Sequence, residues 1–180
     1  MREIKLLPGT EHIGEIQQLF CEYTQELIDS EEEFREYLEL QNYESELENL
    51  STKYGAPEGR LYLITVDGNS AGCIALRKIE KNFCEMKRLY IRPLFRSLGL
   101  AAYLVQRIID DAKEIGYQAM FLDTLPSLDA AIRLYKKFGF YEVACYNNSP
   151  IKGTVFMRLD LTQLDPVNKN IEMQNQSLGL

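Results

Sequence analysis

"RLYIRPLFRSLGLAAYLV", residues 88–105, decides how the rest of the chain is read. It leaves an apolar, strand-like run, passes Arg92, Pro93 and Arg96, and meets Gly99 followed by Leu100 and two alanines. Lys87, Arg88, Arg92, Arg96 and Arg107 gather here, with no acid between Met86 and Ile109, in a chain of net charge −7. The first N–H groups of a helix have no internal partner and carry partial positive charge. Small residues at Gly99 and Ala101 leave that backbone open. The stretch therefore reads as an anion site at a helix start, with Arg96 able to fork onto the anion's oxygens. Its form, R-x-x-G-x-A, differs from the dinucleotide pattern G-x-G-x-x-G and from the P-loop G-x-x-x-x-G-K-[ST], and neither of those is present.

The 180 residues, 46% hydrophobic and 26% charged, fit one globular domain, placed at 1–162, followed by a polar tail at 163–180. No run approaches the roughly 20 apolar residues that span a bilayer. "MREIKLLPGTEHIGEI" lacks a signal peptide's apolar segment, so a cytoplasmic protein with no membrane partner is expected. A pI near 4.9 argues against nucleic acid, which needs a basic surface. Cys21, Cys73, Cys84 and Cys145 form no CxxC and His12 is the only histidine, so no metal is expected. Each cysteine sits in an apolar run and reads as a reduced, buried thiol.

Working outward, 2–7 alternates as a short strand, and Thr10 is placed to cap a helix over about 11–28. In "SEEEFREYLELQNYESELENL", Ser30 and Glu33 have capping-box spacing. That segment carries eight acids and one arginine, and reads either as a solvated helical face or as a mouth attractive to a cationic substrate. "LYLITV" and "AGCIALRKI", joined at Asp67-Gly68, form a hairpin, and "FCEMKRLYI" is a third strand. Leu100, Leu104, Ile108, Ala112 and Ile115 mark a helix ended by Gly116. Strand "QAMFLDT", helix "SLDAAIRLYKKF" and a last antiparallel pair complete the order βα(α)βββαβαββ. This is an α/β chain with a mixed, mostly antiparallel sheet and helices on both faces.

About thirty residues after Gly99 comes "AIRLYKKFGF", 131–140, of the form A-x-x-L-Y-x-x-x-G-F. With R-x-x-G-x-A before it, on strand-helix-strand-helix-strand, the chain resembles the GNAT superfamily of acyl-CoA-dependent N-acetyltransferases. "CEMKRLYIRP", "LDTLPSLDAAIRLYKKFGF" and "CYNNSPIKGTVFMRLDL" look more narrowly like a subgroup of small GNAT enzymes.

The resemblance implies acetyl-CoA as the cofactor. It places the pantetheine arm on the backbone of Leu89, Tyr90 and Ile91, along a strand that splays from its neighbour. The pyrophosphate falls on the N–H groups of Arg96, Ser97, Leu98, Gly99, Leu100, Ala101 and Ala102. Thr124 through Ser127, with Ala130, flank the arm. Many members carry asparagine three positions before the motif alanine; here Leu128 stands there, leaving Ser127 to replace that contact. Tyr135 matches the tyrosine that protonates the departing thiolate, and Glu85 a carboxylate that draws the proton from the amine.

Tyr23, Tyr146, Asn147 and Asn148 are candidates for the acceptor pocket. The expected reaction is acetyl transfer to a small molecule's primary amine by direct attack in a ternary complex. Acetylation of a lysine or N-terminus, and a non-catalytic acyl-CoA sensor, stay open, as does a homodimer with the tail packed on a neighbour.

Overall fold

The computed structural model describes residues 2–30, 34–40, 42–147 and 152–162. Its strands are β1 (Ile4–Pro8), β2 (Arg60–Val66), β3 (Asn69–Glu80), β4 (Phe83–Ile91), β5 (Ala119–Thr124), β6 (Tyr141–Val143) and β7 (Val155–Asp160). They form a seven-stranded sheet in the order β1-β2-β3-β4-β5-β7-β6, in which β4 and β5 run parallel and the other neighbours antiparallel. The helices are α1 (Ile13–Ser30), α2 (Phe34–Leu40), α3 (Tyr43–Glu48), α4 (Leu50–Tyr54), α5 (Leu100–Ile115) and α6 (Asp129–Lys137).

Helix α5 supplies the crossover that the parallel pair requires. Its buried Leu100, Leu104, Val105, Ile108 and Ala112 recur at helical spacing and pack with Ile64, Ile74, Met86 and Met120 of the sheet. Each such leucine, isoleucine, valine or methionine contributes about 1.5–3 kcal/mol when fully withdrawn from water. The opposite face is covered by α1 and α4, where Ile16, Leu19, Phe20, Leu50 and Tyr54 meet Leu61, Leu63, Cys73 and Tyr90. The β2–β3 turn is held by positive φ at both Asp67 (50°) and Gly68 (77°), the geometry that matches the twist of a two-residue hairpin.

Several details differ from the sequence expectation. Thr10 lies inside a 3-10 turn, Gly9–Glu11, and α1 starts at Ile13. The Ser30 hydroxyl donates back to the Leu27 carbonyl at 2.8 Å, so it closes α1, while Glu33 lies outside the described residues. The acidic segment is broken into short helices by Asn42, left-handed at φ 54°, and by Asn49. Cys73 and Cys84 are buried thiols, pushed well above the ordinary range by burial, but Cys21 and Cys145 are exposed. No helix among the described residues is long and apolar enough to cross a membrane.

One irregularity positions everything that follows. Between Cys73↔Tyr90 and Ala75↔Lys87, β3 advances two residues while β4 advances three. The extra residue makes a bulge at Arg88, which takes φ 58°. Beyond it, Gly72 lies so close to β4 that a Cβ there would overlap the Tyr90 carbonyl oxygen and the Ile91 side chain. Strands β4 and β5 pair only from Phe83↔Ala119 to Glu85↔Phe121, and then part.

Candidate active site

Where the strands part, a narrow cavity of ≈ 50 Å³ opens. Met86, Lys87, Arg88 and Leu89 line it from β4, and Leu122 to Leu125 from the end of β5. Tyr23 and Leu27 of α1, Phe34 of α2 and Tyr135 of α6 complete most of the wall. Because β5 continues to pair with β7 as far as Thr124↔Val155, the divergence comes from β4, bent at its bulge. Leu89, Tyr90 and Ile91 thus have no rung toward β5. Tyr90 pairs with Cys73, Ile91 with Gly72, and Tyr90 packs its ring 5.6 Å from that of Tyr23.

At the outer end of β4 the chain turns into α5. Ser97 and Gly99 both have positive φ (71° and 76°), and among the described residues the N–H groups of Ser97 through Ala102 meet no protein acceptor. Consecutive N–H groups in such a turn make a concave, positively polarised nest. The expected run is one residue shorter than the sequence implied, because the Arg96 N–H bonds to the Pro93 carbonyl at 3.2 Å in a 3-10 turn. An anion fits the nest, and the open edge of β4 fits an extended arm bearing amide groups.

The positive field inferred from the sequence is largely met by acids from elsewhere in the chain. Glu22 takes Arg92 at 2.7 Å, Glu26 takes Arg96 at 2.8 Å, and Asp111 takes Arg107 at 2.8 Å on the outer part of α5. Arg88 is buried against Glu46, with Nε 2.9 Å from Oε1 and Nη2 3.1 Å from Oε2. Glu46 also accepts from Tyr54 (2.8 Å) and Lys53 (2.5 Å). Burial works against its charge, but Arg88 and Lys53 hold its carboxyl down at about 2. Asp111 stands four residues from Arg107 on the same helix, a spacing that can be read locally, but the other partners lie on different elements and could not be seen in a linear reading.

Tyr135 sits in the cavity wall with its ring 5.9 Å from that of Phe140. Burial, reinforced by neighbouring Tyr23 and Asp123, raises its phenol well above the tyrosine range and keeps the proton in place. Tyr23 is likewise pushed up to about 12 by burial. Thr124 lines the same wall, while Ser127 and Ala130 stand exposed where the chain enters α6. Leu128 packs on the small apolar cluster of Leu27, Phe34, Leu38 and Leu125.

Glu85 is fully buried but does not line the cavity. Its Oε2 lies 2.6 Å from Arg77 Nε, and its Oε1 accepts from the Tyr146 hydroxyl at 2.8 Å. Among the described residues the carboxylate that lines the cavity is Asp123, whose Oδ2 accepts from Asn147 Nδ2 at 3.2 Å. Asn148 lies outside the described residues. Sequence reasoning missed Asp123 and Lys87, although both were traceable. Each lies two residues beyond the last β4–β5 rung, Glu85↔Phe121, which puts them on one side of the sheet, face to face across the opening.

This sheet, split at a bulged strand beside an N–H nest, defines an acyltransferase-type scaffold. The acetyltransferase (GNAT) family matches residues 15–140, and the chain belongs to that family. An uncharacterised N-acetyltransferase of Schizosaccharomyces pombe is 43% identical over 135 residues, spanning 73% of this chain and 82% of its own. A GNAT acetyltransferase from Staphylococcus aureus superposes with TM-score 0.71 at 18% identity, covering 89% of this chain and 100% of its own. An acetyltransferase from Salmonella typhimurium, solved with its cofactor acetyl-CoA, superposes with TM-score 0.62 at 17% identity, covering 91% and 95%.

Proposed function

We propose that the protein moves an acetyl group from acetyl-CoA to the primary amine of a small molecule, by direct attack in a ternary complex. The observation that carries this reading is the acceptor-free run of N–H groups from Ser97 to Ala102 at the end of a strand with an open edge. When bound, acetyl-CoA supplies a thioester whose carbonyl carbon receives the amine and whose sulfur leaves as thiolate.

The nest, with Arg96 beside it, holds the pyrophosphate. The backbone of Leu89, Tyr90 and Ile91, which has no rung toward β5, holds the pantetheine amides, with Thr124, Ser127 and Ala130 along its other side. Tyr135 gives its proton to the departing sulfur, a thiolate whose basicity the same dry wall raises, and the phenolate then recovers a proton from solvent. Glu85 receives the proton lost by the amine through the Tyr146 hydroxyl, which already points its hydrogen at Oε1. One C–N bond forms, one C–S bond breaks, and an ammonium acceptor releases one net proton. Holding the two reactants together supplies most of the acceleration, and acid–base help adds about 10²–10⁴-fold. Tyr23, Asn147 and Asn148 belong to the acceptor side.

The test is calorimetric binding of acetyl-CoA to the full chain, followed by CoA release against a panel of primary amines. Binding with release for at least one amine is expected. Binding without release across the panel leaves an acyl-CoA sensor, and absence of binding overturns the whole reading.

A further inference from the structure

Arg88 holds a backbone conformation that its side chain disfavours. Its φ of 58° is one that glycine adopts freely and a residue with a Cβ does not. It also supplies the extra residue of the β4 bulge. Ile74 alone separates Cys73 from Ala75, where Arg88 and Leu89 separate Tyr90 from Lys87. A left-handed residue at a bulge is ordinarily glycine. An arginine persists there only if its surroundings over-determine the backbone.

Those surroundings come from the helices covering this face. The Arg88 side chain is 4% exposed, and its guanidinium meets both carboxylate oxygens of Glu46 on α3, at 2.9 and 3.1 Å. The rings of Tyr43 and Phe20 flank it, their centroids 5.0 and 5.8 Å from Cζ. Glu46 is itself fixed, because Lys53 and Tyr54 of α4 donate to the same carboxylate. A guanidinium cannot shed its proton, so at this depth it is costly to part from its counter-charge. The side chain stays where Glu46 is, and the backbone carrying it stays bent. The Arg88 carbonyl, turned out of the regular ladder, receives the Cys73 thiol at 3.4 Å.

The consequence falls on the open edge of β4. Tyr90 packs with the α1 cluster and Ile91 with the α5 cluster, so packing sets the register beyond the bulge. The direction in which 89–91 leave β5 is set at the bend itself.

We infer that Glu46 is a positioning residue for acetyl-CoA: acting through Arg88, it holds the bend that presents the backbone of Leu89, Tyr90 and Ile91 to the pantetheine arm. This rests on the transferase reading above, and adds to it a residue that stands outside the cavity wall.

The experiment measures calorimetric binding of acetyl-CoA to the full chain carrying Arg88→Gly or Arg88→Ala, with Glu46 in place. Both variants lose the guanidinium, and with it the hold of Glu46. Glycine keeps a positive φ without that hold, and alanine does not. Arg88→Ala should bind about tenfold more weakly than the parent, the factor to which a left-handed residue's strain converts, and Arg88→Gly should recover most of the loss. Glu46→Gln, which keeps the arginine and cuts its tether, should weaken binding by a similar factor. Adding Arg88→Gly to Glu46→Gln should bring the affinity back toward that of Arg88→Gly. In turnover assays the loss lies in the KM for acetyl-CoA more than in kcat. Circular dichroism gives the folded fraction of each variant at the titration temperature, and each affinity refers to that fraction.

A contact needed only for stability lowers the folded fraction and leaves the affinity of the folded molecules alone. Equal affinity in Arg88→Gly and Arg88→Ala, or tighter binding by Arg88→Ala, therefore overturns the assignment and leaves the transferase reading standing. Parent-like affinity in the folded fraction of Glu46→Gln does the same. A parent protein that binds no acetyl-CoA overturns both.

Discussion

Arg96 enters this structure already engaged: its Nη2 lies 2.8 Å from both carboxylate oxygens of Glu26, and its Nε bonds the Ile91 carbonyl at 3.0 Å. The side chain nearest the N–H nest is thus tied to α1 and to the end of β4. On the proposed reading, an incoming pyrophosphate would compete with Glu26 for the same guanidinium. Arg96→Glu should weaken acetyl-CoA binding at least about tenfold, through lost charge-assisted bonds and added repulsion. Glu26→Gln should tighten it a few-fold, since a half-exposed pair contributes about 0–1 kcal/mol that the ligand must overcome. Isothermal titration of both variants decides this; an unaltered constant in Arg96→Glu removes the arginine from the cofactor site.

Tyr135 tests the acid role separately from binding. Tyr135→Phe keeps the ring that packs beside Phe140 and deletes only the hydroxyl. Turnover should fall about 10²-fold or more while acetyl-CoA affinity stays within about twofold. A variant with the parent's kcat would leave the thiolate to be protonated by water.

Glu85 is tested by its pH–rate profile. Glu85→Gln keeps one acceptor oxygen where the carboxylate has two, for Arg77 and for the Tyr146 hydroxyl, and cannot accept a proton, so the rising limb at low pH should flatten and kcat should fall. Superimposable profiles for Glu85→Gln and the parent would exclude Glu85 from proton removal.

Glu46 links stability to pH. Its carboxyl titrates at about 2 in the folded chain, against a reference of 4.5. The folded value is depressed, so the stabilisation is fully present above the reference value and is lost as pH falls from about 4.5 toward 2. Protonation there leaves Arg88 buried without its counter-charge. Glu46→Gln should cost about 3 kcal/mol at neutral pH, by the usual penalty for breaking a buried pair. Denaturant titrations of parent and variant should differ at pH 7 and converge near pH 2; a constant gap would remove Glu46 as the source.

Most of the architecture was legible in the sequence because alternation and helical spacing are local. The hairpin at Asp67-Gly68, the apolar ladder of α5 and the anion turn at Gly99 are each written within a few residues. The bulge at Arg88 was not, since it follows from pairing against β3 and from Gly72 on another strand. The same reason hid the burial of Glu46, which sits in a run of exposed-looking acids until Arg88 and Tyr54 are folded onto it. Glu85 was legible together with a pairing to Arg77 or Lys87 on neighbouring strand positions, and Arg77 does reach it from β3, but the contact of Tyr146 from the loop after β6 was not.

The three rungs between β4 and β5 leave the sheet as two panels, β1 to β4 and β5 to β6, stitched along a short seam and bridged by α5. On the proposed reading, an extended amide-bearing molecule laid in the gap would take the place of the missing stitches and act as a temporary eighth strand. The panels would then gain rigidity from their own reactant, and heat resistance should rise with its concentration by mass action.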